Sequence, residues 1–296
     1  MDHNSQFSDS QHIRLHDGRR LAYARYGKMG GRPIFYFTGG NSSRLEGMWF
    51  EQAAQQHAID LIVPDRPGFG LSDFKPDRQF LDWPADVEQL ADSLHIDRFA
   101  ILGLSGGSPH VAAVCRQLPE RVTKAAIASG VAPPEMPDKF TGMWPPVRMI
   151  FTSARYAPWL NRILLGQMSK FYADEEQMRS RMKQALPAPD VALIDARPEI
   201  MSIFSAAARE AHRQGVQGDA WEWRLYVHPW GFGLDEIPGE IGLWYGTVDK
   251  NVPVGMGHYL AQHLPHSRLT VVPDGGHFST INNHISTIFN YLTGER

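Results

Sequence analysis

The sequence predicts an α/β fold in which a mostly parallel sheet is covered by helices on both faces. Continuous apolar runs recur along the chain, most of them end in glycine and polar residues, and helical patterns separate them. Strands that are buried on both faces of a sheet have this continuous apolar character. The 296 residues, 43% of them hydrophobic, suffice for one large domain, or for one domain that carries an insertion.

The chain opens with a pattern typical of a hairpin. In the segment 13–27, two alternating runs flank Asp17 and Gly18, a residue pair that favours a tight turn between antiparallel strands. Buried strands are then predicted in order from the apolar runs at 33–38, 59–64, 99–104, 239–246 and 269–272.

Helical patterns lie between these runs. The segment 83–95 places Val87, Leu90, Ala91 and Leu94 on one face, and a second helix is predicted directly after the glycine-rich turn at 103–107. In parallel sheets of this kind, ligands bind outside the carboxyl ends of the strands. The polar residues that follow each strand are therefore expected to lie close together.

The pattern changes between 132 and 215, where prolines, seven methionines and many aromatic residues occur with helical spacing and without a clear strand. We interpret this segment as a helical cap between an N-terminal core part (1–131) and a C-terminal core part (216–296). Methionine side chains adapt to irregular shapes, so the segment is expected either to pack as a small helical subdomain or to form a lid over an apolar substrate pocket.

Ser105 occupies a G-x-S-x-G motif between a predicted strand and a predicted helix, the context that gives this motif meaning. A serine hydroxyl needs a base that a third group orients. His277 and Asp249 each follow an apolar run, and the chain order Ser, Asp, His fits the motif, although Asp235 and Asp274 are alternative acids. The backbone amides of Gly40 and Gly106 are the candidate oxyanion donors.

With these residues in place, the sequence resembles the α/β-hydrolase superfamily from residue 17 to residue 279. The resemblance implies that Ser105 is the nucleophile, His277 the general base and Asp249 the orienting acid, with Gly40 and Gly106 in the oxyanion hole. Many members of the family have His-Gly followed by one residue and then proline in the oxyanion loop. This chain has Thr38 to Asn41 instead, which removes a hydrogen bond that braces the loop.

Three aromatic or methionine side chains are candidates for substrate contact: Trp144, Met149 and Trp221. Asp65 and Arg66, in the segment 64–70, are interpreted as a structural turn supported by an ion pair. The spacing of His258, His263 and His266 does not suit a metal site, and no phosphate-binding glycine motif is present, so no metal or cofactor is expected.

The sequence thus predicts a serine hydrolase that cleaves carboxylic esters with apolar acyl groups. Lactone opening, aminopeptidase activity and carbon–carbon bond hydrolysis are alternatives on the same triad, and a non-catalytic ligand receptor with this fold is the alternative of another class. A formal net charge of −3 and the absence of long apolar runs predict no nucleic-acid or membrane partner. The single cysteine, Cys115, and the polar N-terminus predict a cytoplasmic protein, and the oligomeric state is left open.

Overall fold

The computed structural model describes residues 11–172 and 174–294 and contains the predicted α/β sheet. Eight strands lie in the order β1-β2-β4-β3-β5-β6-β7-β8, and every neighbouring pair from β4 to β8 is parallel. The strands are β1 (Gln11–Arg14), β2 (Arg20–Gly27), β3 (Arg32–Phe37), β4 (Ile59–Pro64), β5 (Phe99–Leu104), β6 (Val122–Ala128), β7 (Ile241–Gly246) and β8 (Ser267–Val272).

The opening hairpin is confirmed. β1 and β2 pair antiparallel with Arg14 opposite Arg20, and Gly18 in the turn has φ +86°, a backbone conformation that glycine adopts without strain. β2 also pairs antiparallel with β4, so that the hairpin extends one edge of the parallel sheet.

Strand β3 shows why the central strands are apolar throughout. Phe35 and Phe37 belong to the core on one face of the sheet, whereas Ile34 and Tyr36 belong to the core on the other face, and all four are fully buried. The helices are α1 (Glu51–Gln56), α2 (Trp83–Ser93), α3 (Ser108–Gln117), α4 (Pro145–Tyr156), α5 (Pro158–Tyr172), α6 (Glu175–Ala185), α7 (Ala188–Ala196), α8 (Glu199–Ala211), α9 (Gln217–Tyr226), α10 (Val254–His263) and α11 (His277–Thr293).

Six helices, α4 to α9, lie between β6 and β7, where the sequence predicts the inserted cap. We refer to α4–α8 as the cap helices. Helix α9 lies beyond the expected boundary at residue 215, yet its Trp223 and Tyr226 face the same cavity as the cap helices.

The single cysteine is a buried core residue, as the sequence predicts. Cys115 packs among apolar side chains on α3, and burial raises the pKa of its thiol to about 12, so the thiol is not ionised near neutral pH. Within the described ranges no helix has the length and apolar content to cross a bilayer. The polar N-terminal residues 1–10, on which the expected location partly depends, lie outside the described residues.

Candidate active site

Ser105 lies at a sharp turn between β5 and α3. Its φ of +52° is unusual for a residue with a side chain, and a short 3₁₀ turn over Ser105–Gly107 leads into the helix. A Cβ atom on Gly103 would lie 2.6 Å from Val111 Cγ2, and one on Gly107 would lie 2.2 Å from the carbonyl oxygen of Phe37. Both glycines are therefore required for the strand and the helix to pack this closely, as the motif spacing predicts.

Asp249 and His277 are brought together by the loop after β7 and by the start of α11. Asp249 Oδ2 lies 2.8 Å from His277 Nδ1. Its other oxygen, Oδ1, accepts the backbone N–H groups of Asn251 at 2.8 Å and Val252 at 2.9 Å. The carboxylate is thus fixed with one oxygen toward the imidazole, and the alternative acids Asp235 and Asp274 are not the partner of His277. This arrangement places the ring hydrogen on Nδ1 and leaves the Nε2 lone pair free.

Burial and charge act in opposite directions on the His277 imidazole. Burial lowers its pKa, but the charge and the hydrogen bond of Asp249 outweigh burial, and Asp190 and Glu46 add to that effect, so the pKa of His277 is raised. Ser105 and His277 line the same cavity. Within the described residues no hydrogen bond joins the two side chains, and hydrogen bonds of this kind commonly tighten only in the complex with substrate.

The two candidate oxyanion donors lie side by side. Gly40 is in the loop after β3, and a Cβ atom built on Gly106 would lie 3.1 Å from the Gly40 nitrogen. A Cβ atom on Gly39 would lie 3.5 Å from Ser105 Cβ, so the same loop also faces the serine. The backbone of the two glycines therefore borders the space next to the Ser105 hydroxyl.

Arg66 braces the loop that lacks the family's usual histidine and proline. Its guanidinium donates to the carbonyl oxygens of Thr38 at 2.7 Å and Gly39 at 2.8 Å, and to Thr38 Oγ1 at 3.0 Å. The Gly39 carbonyl belongs to the same peptide group as the Gly40 N–H. A charged donor on that carbonyl orients the peptide and polarises its N–H.

The ion pairs of the Asp65-Arg66 turn differ from the expected single pair. Asp65 pairs with Arg44 at 2.6 Å, whereas Arg66 Nε lies 2.8 Å from Glu222 Oε1 on helix α9. Glu222 also pairs with Arg78. Burial raises the pKa of Glu222, but the two guanidinium groups outweigh burial and hold it at about 2.

Tyr226 connects this buried cluster to the nucleophile turn. Its hydroxyl lies 3.0 Å from the carbonyl oxygen of Gly106 and 3.0 Å from Glu222 Oε1. His110 completes the cluster, and burial lowers its pKa to about 3, so its imidazole is neutral. Sequence analysis missed Glu222, Tyr226 and His110 as support for the site. A charged residue, Glu222, between two tryptophans in the segment 221–226 was the available indication of a buried ion pair.

A cavity of about 560 Å³ lies above Ser105 and has the size of a small-molecule site. Its wall is mainly apolar, and Arg181 is the one cationic side chain among the described lining residues. The apolar and aromatic residues of the wall include Trp144, Val147, Met149, Ile150, Phe151, Leu164, Met168, Phe171, Met178, Met182, Leu186, Phe204 and Trp223.

Two of the three predicted substrate contacts fit this cavity. Trp144 and Met149 line it, but Trp221 is not among the described lining residues, so a substrate contact by Trp221 stays a prediction that the cavity does not support. The Trp221 indole donates to the Arg78 carbonyl at 2.9 Å and its ring lies against Phe74, which turns it to the outer side of α9. Trp223 occupies the inner side of that helix.

Comparison with known proteins gives both sequence and structural matches. Residues 32–283 match the family model of the alpha/beta hydrolase fold. An uncharacterized hydrolase of Bacillus subtilis (strain 168) is 29% identical over 115 residues, which are 39% of this chain and 39% of that protein. A 2-hydroxy-6-oxo-6-phenylhexa-2,4-dienoate hydrolase of Burkholderia cepacia is 26% identical over 235 residues, which are 79% of this chain and 75% of that protein.

Among solved structures, the enol-lactonase from Burkholderia xenovorans LB400 superposes with a TM-score of 0.69 at 18% identity. The match covers 96% of this chain and 100% of that one. A likeness at this level of identity concerns the fold.

Proposed function

Since the chain belongs to the α/β-hydrolase family, we propose that it is a serine hydrolase that cleaves carboxylic esters through an acyl-enzyme intermediate. The observation that carries the proposal is the convergence of three groups at one cavity. They are the strained Ser105 turn, the Asp249–His277 pair at 2.8 Å, and the adjacent backbone of Gly40 and Gly106.

In the proposed reaction, Ser105 Oγ attacks the ester carbonyl carbon while its proton moves to His277 Nε2. The Asp249 carboxylate stabilises the imidazolium that forms. The negative charge on the carbonyl oxygen is stabilised by the Gly40 and Gly106 N–H groups. When the carbon–oxygen bond to the alcohol breaks, the imidazolium returns the proton to the leaving oxygen. Water then attacks the acyl-enzyme with His277 as base, which releases the acid and restores the serine.

The mainly apolar wall of the cavity supports the proposal that the substrate carries an apolar acyl group. Its methionine and aromatic side chains offer adaptable contacts and few polar partners, so affinity for the acyl chain would come from buried apolar area. We propose Trp144 and Met149 as contacts, and we propose that residues 132–215 act as the lid.

A second candidate is carbon–carbon bond hydrolysis next to a ketone. The relative from Burkholderia cepacia, whose name specifies a phenyl group, a ketone and a carboxylate in its substrate, favours it. The apolar wall and Arg181 at the cavity would accommodate a phenyl group and a carboxylate. Lactone opening and amide cleavage by an aminopeptidase remain further alternatives because each uses the same attack on a carbonyl.

A substrate panel distinguishes these reactions. We would measure the steady-state hydrolysis of nitrophenyl esters from acetate to dodecanoate, of acyl lactones, of aminoacyl nitroanilides and of a phenyl-substituted oxo-dienoate, with Ser105→Ala as the control. The proposal predicts the highest kcat/KM on an ester and none in the control. Turnover of the oxo-dienoate alone would replace it with the second candidate. Tight substrate binding without turnover would support the receptor alternative.

We also propose that the protein acts in the cytoplasm on a small molecule, because its single cysteine is buried and unpaired, as is usual where disulfides are rare.

A further inference from the structure

A fully buried carboxylate of the cap meets the backbone that carries the candidate catalytic histidine. Asp190 lies on helix α7, 87 residues before His277, and its side chain is not exposed. Asp190 Oδ2 accepts the His277 N–H at 2.8 Å. Asp190 Oδ1 accepts the N–H groups of Phe278 at 3.2 Å and Ser279 at 2.8 Å, and the Ser279 hydroxyl at 2.7 Å. Four donors thus converge on one carboxylate.

These donors are groups that the start of a helix leaves without partners. The first N–H groups of α11 have no acceptor within the helix, and a side chain at the preceding position usually supplies one. Here that position is Gly276, which has no side chain. Asp190 therefore caps α11 from another part of the fold, and its negative charge also suits the positive end of the helix dipole.

The local sequence makes room for this contact. A Cβ atom on Gly276 would lie 2.3 Å from Asp190 Oδ1, so any larger residue would displace the carboxylate. The Ser279 hydroxyl donates to Asp190 and accepts from the Gly276 nitrogen at 2.9 Å. The turn that carries His277 is held at consecutive residues by one side chain of the cap.

We propose that Asp190 is a positioning residue, through which cap helix α7 fixes the backbone of His277 so that its imidazole can serve Ser105. The inference rests on the proposed function and extends it. It makes the assembly of the site depend on the placement of the cap, since a displacement of α7 would release the first turn of α11.

Three carboxylates influence the His277 imidazole from the elements around it: Asp249 after β7, Asp190 on α7, and Glu46 in the turn after β3. Each raises the pKa of His277 against the lowering effect of burial. Removal of the Asp190 charge therefore lowers the pKa of His277. The imidazole of the variant then loses its proton, and becomes able to act as a base, at a lower pH than in the wild type. This shift reports the Asp190 charge, so a variant that displaces the carboxylate and keeps its charge is needed to separate positioning from charge.

The test compares Asp190→Asn with Asp195→Asn. Asparagine keeps the shape at position 190 but replaces one acceptor oxygen with a donor. Asp195 lies on the same helix, is mainly exposed and pairs only with Lys183 among the described residues. We expect Asp190→Asn to react with a fluorophosphonate about 10- to 100-fold more slowly, with its pH midpoint shifted down. Asp195→Asn is expected to match the wild type.

Two further measurements keep the inference testable if Asp190→Asn does not fold or if the proposed function is wrong. Gly276→Ala displaces the carboxylate but keeps its charge, so it should slow labelling with a smaller shift of the midpoint. An NMR titration of His277 in a Ser105→Ala background reads the pKa of the imidazole without any reaction.

Each outcome decides a specific claim. The inference is overturned if folded Asp190→Asn labels at the wild-type rate at a pH above the pKa of His277, even if the His277 titration shifts, because the loss of charge alone accounts for such a shift. If Asp190→Asn does not fold, a wild-type rate in Gly276→Ala overturns it. A wild-type protein that is not labelled refutes the proposed function instead, and the NMR titration still decides whether Asp190 acts on His277.

Discussion

Tyr226→Phe tests whether the buried cluster supports the oxyanion donors. The change removes a single oxygen atom, which lies 3.0 Å from both the Gly106 carbonyl and Glu222 Oε1. The ring itself should stay in place, because it is fully buried and packs against Phe80 and Trp223.

The expected magnitude follows from the hydrogen-bond inventory. The Tyr226 hydroxyl carries one hydrogen, so it donates to one of its two neighbours at a time, and the substitution removes one donated hydrogen bond. Glu222 keeps its guanidinium partners, whereas among side chains of the described residues the Gly106 carbonyl keeps His110 Nδ1 at a long 3.4 Å. We expect the free energy of unfolding to fall by about 1 kcal/mol, the net contribution of one buried hydrogen bond.

The effect on catalysis should be smaller than the loss of an oxyanion donor. Because the Gly106 N–H remains and Tyr226 holds the carbonyl of the next peptide group along the chain, we expect kcat to fall about 10-fold, against the roughly 100- to 1000-fold cost of deleting a donor. Urea unfolding and steady-state ester hydrolysis measure the two effects. The control is Tyr291→Phe, because the Tyr291 hydroxyl donates to Glu240 Oε1 at 2.9 Å beside the start of β7, at the edge of the sheet opposite the candidate site. Equal kcat in Tyr226→Phe and the control would refute the reasoning.

Three further predictions concern the braced loop, the histidine and the cavity. Arg66→Lys should lower kcat by about 10- to 100-fold, because an ammonium group cannot hold both loop carbonyls in the geometry of the guanidinium fork. Steady-state kinetics would disprove this if kcat were unchanged. The kcat/KM of the wild type should fall as the pH drops through the raised pKa of His277, and Asp249→Asn should move that limb to lower pH because the facing carboxylate favours the charged imidazole. If Asp249→Asn has the same pH profile as the wild type, the assignment of Asp249 as the partner of His277 is contradicted. Ala208→Phe, on the wall of the cavity, should raise KM for long-chain nitrophenyl esters and leave acetate unaffected, and equal effects on both esters would count against the proposed acyl pocket.

Much of the core could be predicted from the sequence because its elements are specified locally. The apolar runs located five strands, and four of them, β3, β4, β5 and β7, are largely buried as expected. The fifth, β8, is an edge strand whose side chains are mostly half-buried or exposed. The Asp17-Gly18 pair marked the hairpin that the structure contains. Strand β6 was not among the predicted runs, since the polar Thr123 and Lys124 interrupt its start and three of its seven residues are alanine, which does not distinguish a strand from a helix. The cap boundary at 215 stays a prediction, and helix α9, just beyond it, also borders the cavity through Trp223 and Tyr226.

The support around the candidate site could not be predicted because it depends on contacts between distant segments. Asp190 meets α11 across 87 residues, and Arg66 reaches both the loop after β3 and Glu222 on α9. The sequence singled out Trp221 as a substrate contact, but only the packing of α9 decides that Trp223 and not Trp221 lines the described cavity.

The most direct test of the central claim is intact-mass analysis after treatment with a fluorophosphonate. We predict a single covalent adduct on the wild-type protein and none on Ser105→Ala, because only a hydroxyl activated by His277 attacks the phosphorus at a useful rate. A folded wild-type protein that gains no mass, or a Ser105→Ala variant that still gains it, would contradict the assignment of Ser105 as the nucleophile.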